Sequence, residues 1–171
     1  MDSSHNTPTM IPVIPVPTNA APPKVVIDTQ VIMDWLVFNN QSVAPLIQAV
    51  QTQALRWIGL AAMKAELLHV LGRGIAASYG PDLVLIDQEF ARWCHLIEKD
   101  PLPAVRLVCR DKDDQMFIDL ALAEQASFLI SRDRAVLALA KRARRAGLAI
   151  MTPEAWIKQA TPAATGVSQA E

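Results

Sequence analysis

Lys24-Val25-Val26-Ile27-Asp28-Thr29-Gln30 is the stretch on which the reading of this chain turns. It is the one clean valine/isoleucine strand signal near the start, and the residues beyond it are helical in pattern. Asp28 therefore stands at a strand-to-helix switch, the place where open α/β sheets put their ligand sites. A carboxylate there is either a structural cap or a group that handles a metal or a phosphate. Further carboxylates at equivalent positions would decide between the two.

With 171 residues and 51% hydrophobic composition, the chain suits one domain with a sizeable core. Charge is balanced, 16 Lys and Arg against 17 Asp and Glu, so the net of -1 gives no global signal for nucleic acid and leaves room for a local basic patch. Cys94 and Cys109 form no C-x-x-C pair and are expected to be reduced thiols. The apolar stretch Met10 to Pro17 is broken by three prolines and lacks a basic leader, so neither a secretory signal nor a membrane span is expected. A cytoplasmic protein is the expectation.

Residues 1–23 hold six of the twelve prolines, Pro8, Pro12, Pro15, Pro17, Pro22 and Pro23, and read as a proline-rich disordered tail. Residues 161–171 are small and polar and read as a second tail. Between them, over 24–160, strand-like and helix-like runs alternate, which argues for a parallel sheet with crossover helices. Strands are expected at Lys24–Ile27, Val105–Cys109, Ser127–Ser131 and Leu148–Met151, with a weaker one near Leu55–Ile58. Helices are expected at Val31–Phe38, Val43–Gln53, Ala61–Leu71, Leu83–Glu98, Asp114–Gln125, Ala135–Ala146 and Pro153–Gln159. Thr152 and Pro153 suit a helix start, and Gly147 suits a helix end.

The logic of Asp28 recurs. Asp133 comes directly after the apolar run Phe128-Leu129-Ile130-Ser131 and Arg132, and Cys109-Arg110-Asp111-Lys112-Asp113-Asp114 leads from another strand candidate into a helix. Each acid alone also suits the simpler role of an N-cap, worth about 1 kcal/mol over alanine. Three on one sheet edge are harder to read as caps alone. Glu66 adds a fourth, because it falls on the apolar stripe Met63, Leu67, Val70, Leu71 rather than opposite it. An inward carboxylate needs a partner, either an arginine such as Arg56 or Arg73, or a cation. Four such acids repel one another unless a cation lies between them, and all-oxygen ligands suit Mg²⁺ or Mn²⁺. Such a site orients and activates a water for in-line attack on phosphorus. No serine–histidine or cysteine–histidine arrangement competes, and no glycine-rich phosphate loop is present.

These residues resemble the PIN domain, and among its members the bacterial toxins of toxin–antitoxin systems. The resemblance spans about residues 24–158. It is carried by Val26-Ile27-Asp28-Thr29-Gln30-Val31, Met63-x-x-Glu66-Leu67-x-x-Val70-Leu71, Asp111-x-Asp113-Asp114-x-x-Phe117, Leu129-Ile130-Ser131-Arg132-Asp133 and Met151-Thr152-Pro153-Glu154. It implies a three-layer α/β/α fold with a central parallel sheet and an acid cluster binding Mg²⁺ or Mn²⁺. It also implies cleavage of single-stranded RNA, a small antitoxin partner and a homodimer. Asp28, Glu66, Asp114 and Asp133 match the four family acids, with Asp113 competing for the third place. Thr29 matches the family threonine, whose hydroxyl would orient Asp28. Gln30 stands where the family usually has asparagine, one methylene shorter.

RNA calls for local positive charge. Arg132 and Arg134 flank Asp133, and Lys141, Arg142, Arg144 and Arg145 come soon after, either as a phosphate-contacting rim or as the solvated face of an amphipathic helix. The leading expectation is a metal-dependent endoribonuclease. The alternative is a catalytically weak or inactive PIN-fold protein that binds RNA or an antitoxin peptide. A phosphatase using Asp28 as nucleophile is weaker still, because the second acid it needs is Gln30.

Overall fold

In the computed structural model, which describes residues 20–161, the Val25-Val26-Ile27 run forms the middle of a five-stranded sheet. In chain order the elements are β1 (Lys24–Ile27), α1 (Thr29–Leu36), α2 (Ala44–Gln51), β2 (Arg56–Gly59), α3 (Ala61–Gly72), α4 (Leu83–Trp93) and β3 (His95–Leu96). The later elements are α5 (Gln115–Ala123), β4 (Phe128–Ile130), α6 (Arg134–Leu137), α7 (Ala140–Arg145), β5 (Ala149–Met151) and α8 (Pro153–Ala160). The spatial order is β3-β2-β1-β4-β5, with every neighbouring pair parallel. The expected tails lie almost wholly in residues 1–19 and 162–171, outside the described residues. Among the described residues no helix is long and apolar enough to cross a membrane.

Both faces of the sheet are covered. Val25, Ile27, Trp57 and Ile130 pack with apolar residues of α1, α2, α4 and α8, while Val26, Ile58, Leu129 and Ile150 pack with those of α5, α6 and α7. Burial on both sides is why these strands read as unbroken apolar runs instead of alternating ones. The arrangement is the three-layer α/β/α fold with a central parallel sheet.

The structure corrects one expected strand. Val105–Cys109 is an irregular loop with Val105 and Val108 exposed. Its backbone has no strand beside it. Instead the Gln115 side chain accepts from the Cys109 amide at 2.7 Å and donates to the Leu107 carbonyl at 2.8 Å. The fifth strand is β3, inside the run expected to be helical to Glu98, because Cys94 turns extended and Ile58 and Gly59 of β2 take His95 and Leu96 as partners. Where one helix was expected over Ala135–Ala146, two short helices stand with a break at Ala138 and Leu139. Thr152 caps α8 by accepting from the Ala155 amide at 3.2 Å, and Gly147 takes the positive φ of 83° that ends α7.

Candidate active site at the carboxyl edge of the sheet

The chain runs outward from β1 to β2 and β3, then returns to lay β4 on the other side of β1. That reversal leaves a crevice beyond the carboxyl ends of β1 and β4. Ile27 and Ile130 are in register, so Asp28 and Ser131 emerge level with each other. The Asp28 amide donates to the Ile130 carbonyl at 2.9 Å. The Ser131 hydroxyl, fully buried, donates to Asp28 Oδ2 at 2.5 Å and accepts from the Asp133 amide at 3.0 Å. One side chain thus ties together the first and fourth expected acids. It is Ser131, rather than Thr29, whose hydroxyl reaches Asp28. Asp133 caps α6 through the Ala135 amide at 2.7 Å, and Gln30 is exposed at the start of α1.

Asp28 is only 5% exposed. Burial raises its pKa and the Asp133 charge adds to the rise, against the pull of the Ser131 hydrogen bond and the Thr29 and Gln30 amides. Glu66, half-buried on α3, is raised by burial and then by Asp113, Asp28 and Asp111. Among the described residues no arginine pairs with it, so of its two expected partners the arginine is absent. Asp114, at the start of α5, is pushed up to about 7 by burial and then by Asp28, Asp133, Asp111 and Glu66. Asp113 is exposed, its amide bound to Asp111 Oδ1 at 2.9 Å. Asp114 is therefore the member of this acidic run that senses the other three acids together. It arrives on the loop that Gln115 holds, and not at the end of a strand as the sequence suggested.

The arginines flanking Asp133 divide. The Arg132 guanidinium is engaged by Asp34 of α1 at 2.7 Å and by Glu154 of α8 at 2.7 Å, with the Ser42 hydroxyl at 3.3 Å. Burial alone would raise the Glu154 carboxyl, but the hydrogen bond from Arg132 and its own backbone amide outweigh it and hold the pKa below its usual value. Arg134 is exposed and has no carboxylate partner among the described residues. It lines an open cleft of about 670 Å³ over Asp111 and Asp133, together with Arg110, Lys112 and Arg132. Sequence reasoning gave no role to Ser131 or Asp34. The signals were present: a hydroxyl closing an apolar strand, and an acid inside the apolar run Val31-Ile32-Met33-Asp34-Trp35-Leu36.

Asp28, Glu66, Asp114 and Asp133 come from four segments and are all oxygen donors, and the pKa of Asp28, Glu66 and Asp114 is raised by burial and by neighbouring carboxylates. That chemistry fits a hard divalent cation. Among the described residues no three His, Cys, Asp or Glu side chains already stand in a tight direct-ligand group.

No curated protein and no solved structure matches the chain. A family model described as "PIN domain" matches residues 24–135, more than half of the chain and the part that contains all four acids. The chain therefore belongs to the PIN domain family, whose members are generally nucleases.

Proposed function

We propose that the chain is a metal-dependent endoribonuclease that cleaves phosphodiester bonds of single-stranded RNA. In this reading it is the toxin of a toxin–antitoxin pair, acting in the cytoplasm as a homodimer restrained by a small antitoxin protein. The observation that carries the nuclease is Asp114, whose carboxyl stands at about 7 because it shares a partly buried site with Asp28, Asp133, Asp111 and Glu66. Such a cluster is poised to exchange protons for a divalent cation near neutral pH.

Asp28, Glu66, Asp114 and Asp133 would hold Mg²⁺ or Mn²⁺, with Asp113 at the rim. When bound, the ion supplies Lewis acidity and charge neutralisation for attack of water on phosphorus. The chain's own groups do the rest. Ser131 fixes the rotamer of Asp28, and Arg134, Arg110 and Lys112 offer charge-assisted hydrogen bonds to phosphate in the cleft. Cys94 and Cys109 are buried and their thiols are pushed up by burial, so neither serves as a nucleophile.

Incubating the purified chain with end-labelled single-stranded RNA and Mn²⁺ tests the reading. Asp28→Ala should lower the cleavage rate by more than about a hundredfold, beyond the range of outer-shell changes. Cleavage that persists in Asp28→Ala, or in excess EDTA, would sink it.

The second reading is a PIN-fold binding protein without catalysis, favoured by the exposed Gln30 where the family usually has asparagine. Calorimetric titration separates the two, since specific Mn²⁺ binding that is lost in Asp114→Ala counts against the inactive reading. Growth arrest on expression, relieved by the product of the adjacent reading frame, is the matching test of the toxin role.

A further inference from the structure

Three cavities run together between the loop of residues 101–110 and the helices beyond β4. Arg110, Arg134 and Ala135 line both the cleft over Asp111 and Asp133 and a second cavity of about 170 Å³. Arg142 lines that second cavity and also a third, of about 290 Å³, to which Arg145 contributes. Through these shared residues the three cavities adjoin as one groove, from the cleft over Asp133 to the flank of α7. Its two walls differ in chemistry. Arg134, Arg142 and Arg145 line the helix side, and Val105, Leu107 and Val108 line the loop side, with Arg110 at its end toward Asp133. Val105 is 53% and Val108 67% exposed, so the second wall offers bare apolar surface.

The helix divides its own charges. Ala143 is fully buried against the core, Arg142 and Arg145 lie three apart and both line the groove, and Lys141 and Arg144 line none of its three cavities. Among the described residues none of Arg110, Arg134, Arg142 and Arg145 pairs with a carboxylate, whereas Arg132 takes two. Their charge remains available to an outside anion.

We propose that this groove is the track of a single-stranded nucleic acid. Phosphates contact Arg134, Arg142 and Arg145, and unstacked bases pack on Val105, Leu107 and Val108, which delivers the strand to the acids. The inference rests on the nuclease reading and extends it with a path. An arginine row facing an apolar wall matches a ligand that carries regular negative charge on one side and apolar faces on the other. A duplex keeps its bases stacked inside and has nothing to offer the second wall.

The test uses the full chain carrying Asp28→Asn, in EDTA, with a fluorescein-labelled twelve-nucleotide oligouridine read by anisotropy. All variants are first matched by thermal melting. Arg142→Ala with Arg145→Ala should weaken binding at least tenfold and reduce the salt slope by about 1.4, the share of two phosphate contacts on a single strand. Lys141→Ala with Arg144→Ala should change affinity less than twofold. Val105→Ser with Val108→Ser should weaken binding without altering the slope. Equal losses from the two arginine-containing pairs, or no loss from Arg142 and Arg145, overturn the track. So does a duplex that binds as tightly and depends on the same arginines; the apolar wall would then belong to a protein partner. An oligouridine left intact by the unmutated chain with Mn²⁺, beside the expected anisotropy pattern, removes the nuclease reading and keeps the track.

Discussion

Ser131 donates to Asp28 and accepts from the Asp133 amide, both inside the protein. Alanine at this position deletes the only side-chain donor that reaches Asp28 among the described residues, leaving a buried carboxylate short of a partner at a cost of about 1–3 kcal/mol. It also frees the Asp28 rotamer. We expect Ser131→Ala to weaken Mn²⁺ binding and kcat/KM by roughly 10–100-fold, the usual range for residues that orient a ligand. Calorimetry and RNA cleavage together check this; unchanged metal affinity would deny Ser131 a positioning role. The positions of Asp28, Asp133 and Glu66 were legible in the sequence, because a strand end and a helical stripe each predict where one side chain points; that of Asp114 was not, since the strand expected before it is a loop. Ser131 was not, because its partner lies 103 residues away and no local pattern encodes that pairing. The partners of Arg132 were hidden for the same reason. Its place beside Asp133 suggested RNA, while Asp34 and Glu154, distant in sequence, engage its guanidinium.

Among the elements, β2 and the end of α4 meet at a close approach where a Cβ does not fit. A Cβ on Gly59 would stand 2.8 Å from Cys94 Sγ, under any ordinary contact distance, with the Phe90 ring at 3.8 Å behind it. Gly59→Ala should therefore destabilise the fold by about 1–3 kcal/mol through overpacking. Adding Cys94→Ala should recover part of that loss, a coupling that a denaturation cycle of the two single variants and the double measures directly. Additive costs would place the strain elsewhere. This contact also explains why α4 ends at Trp93 when its pattern continued to Glu98. Cys94 must turn extended to seat against Gly59, and the chain then pairs with β2 for two residues. So short and exposed a strand carries no periodicity to read. The Val105–Cys109 run failed in the opposite sense: it has strand composition but no strand beside it, and Gln115 supplies its hydrogen bonds. β1, β4 and β5 were legible to within a residue because both their faces are buried, which makes composition and environment agree.

For the whole molecule, the acid cluster ties stability to pH in a direction opposite to that of most salt-bridged carboxylates. Asp114 titrates near 7 when folded against an ordinary value of 3.8, and Asp28 and Glu66 are raised as well. Between those values the folded chain binds more protons than the unfolded one, so stability falls as pH rises from about 4 to 7. Glu154, held low, acts the other way only below its ordinary 4.5. Without divalent metal the melting temperature should be lower at pH 8 than at pH 5, and Mn²⁺ should raise it more at pH 8, where the carboxylates are free to bind. Melting curves in EDTA and in Mn²⁺ at both pH values check this, and a flat metal-free profile would refute it. That the sheet is parallel could be read from alternating strand and helix patterns; its order β3-β2-β1-β4-β5 could not, because no local signal says where a returning strand docks. That order also sets a timetable. The central strand and Asp28 leave the ribosome first, yet Asp114 and Asp133 come late, and Glu154, which holds the loop beside Asp133 through Arg132, comes later still. A nascent chain therefore lacks the full set of four acids until Asp133, more than a hundred residues after Asp28, has been made.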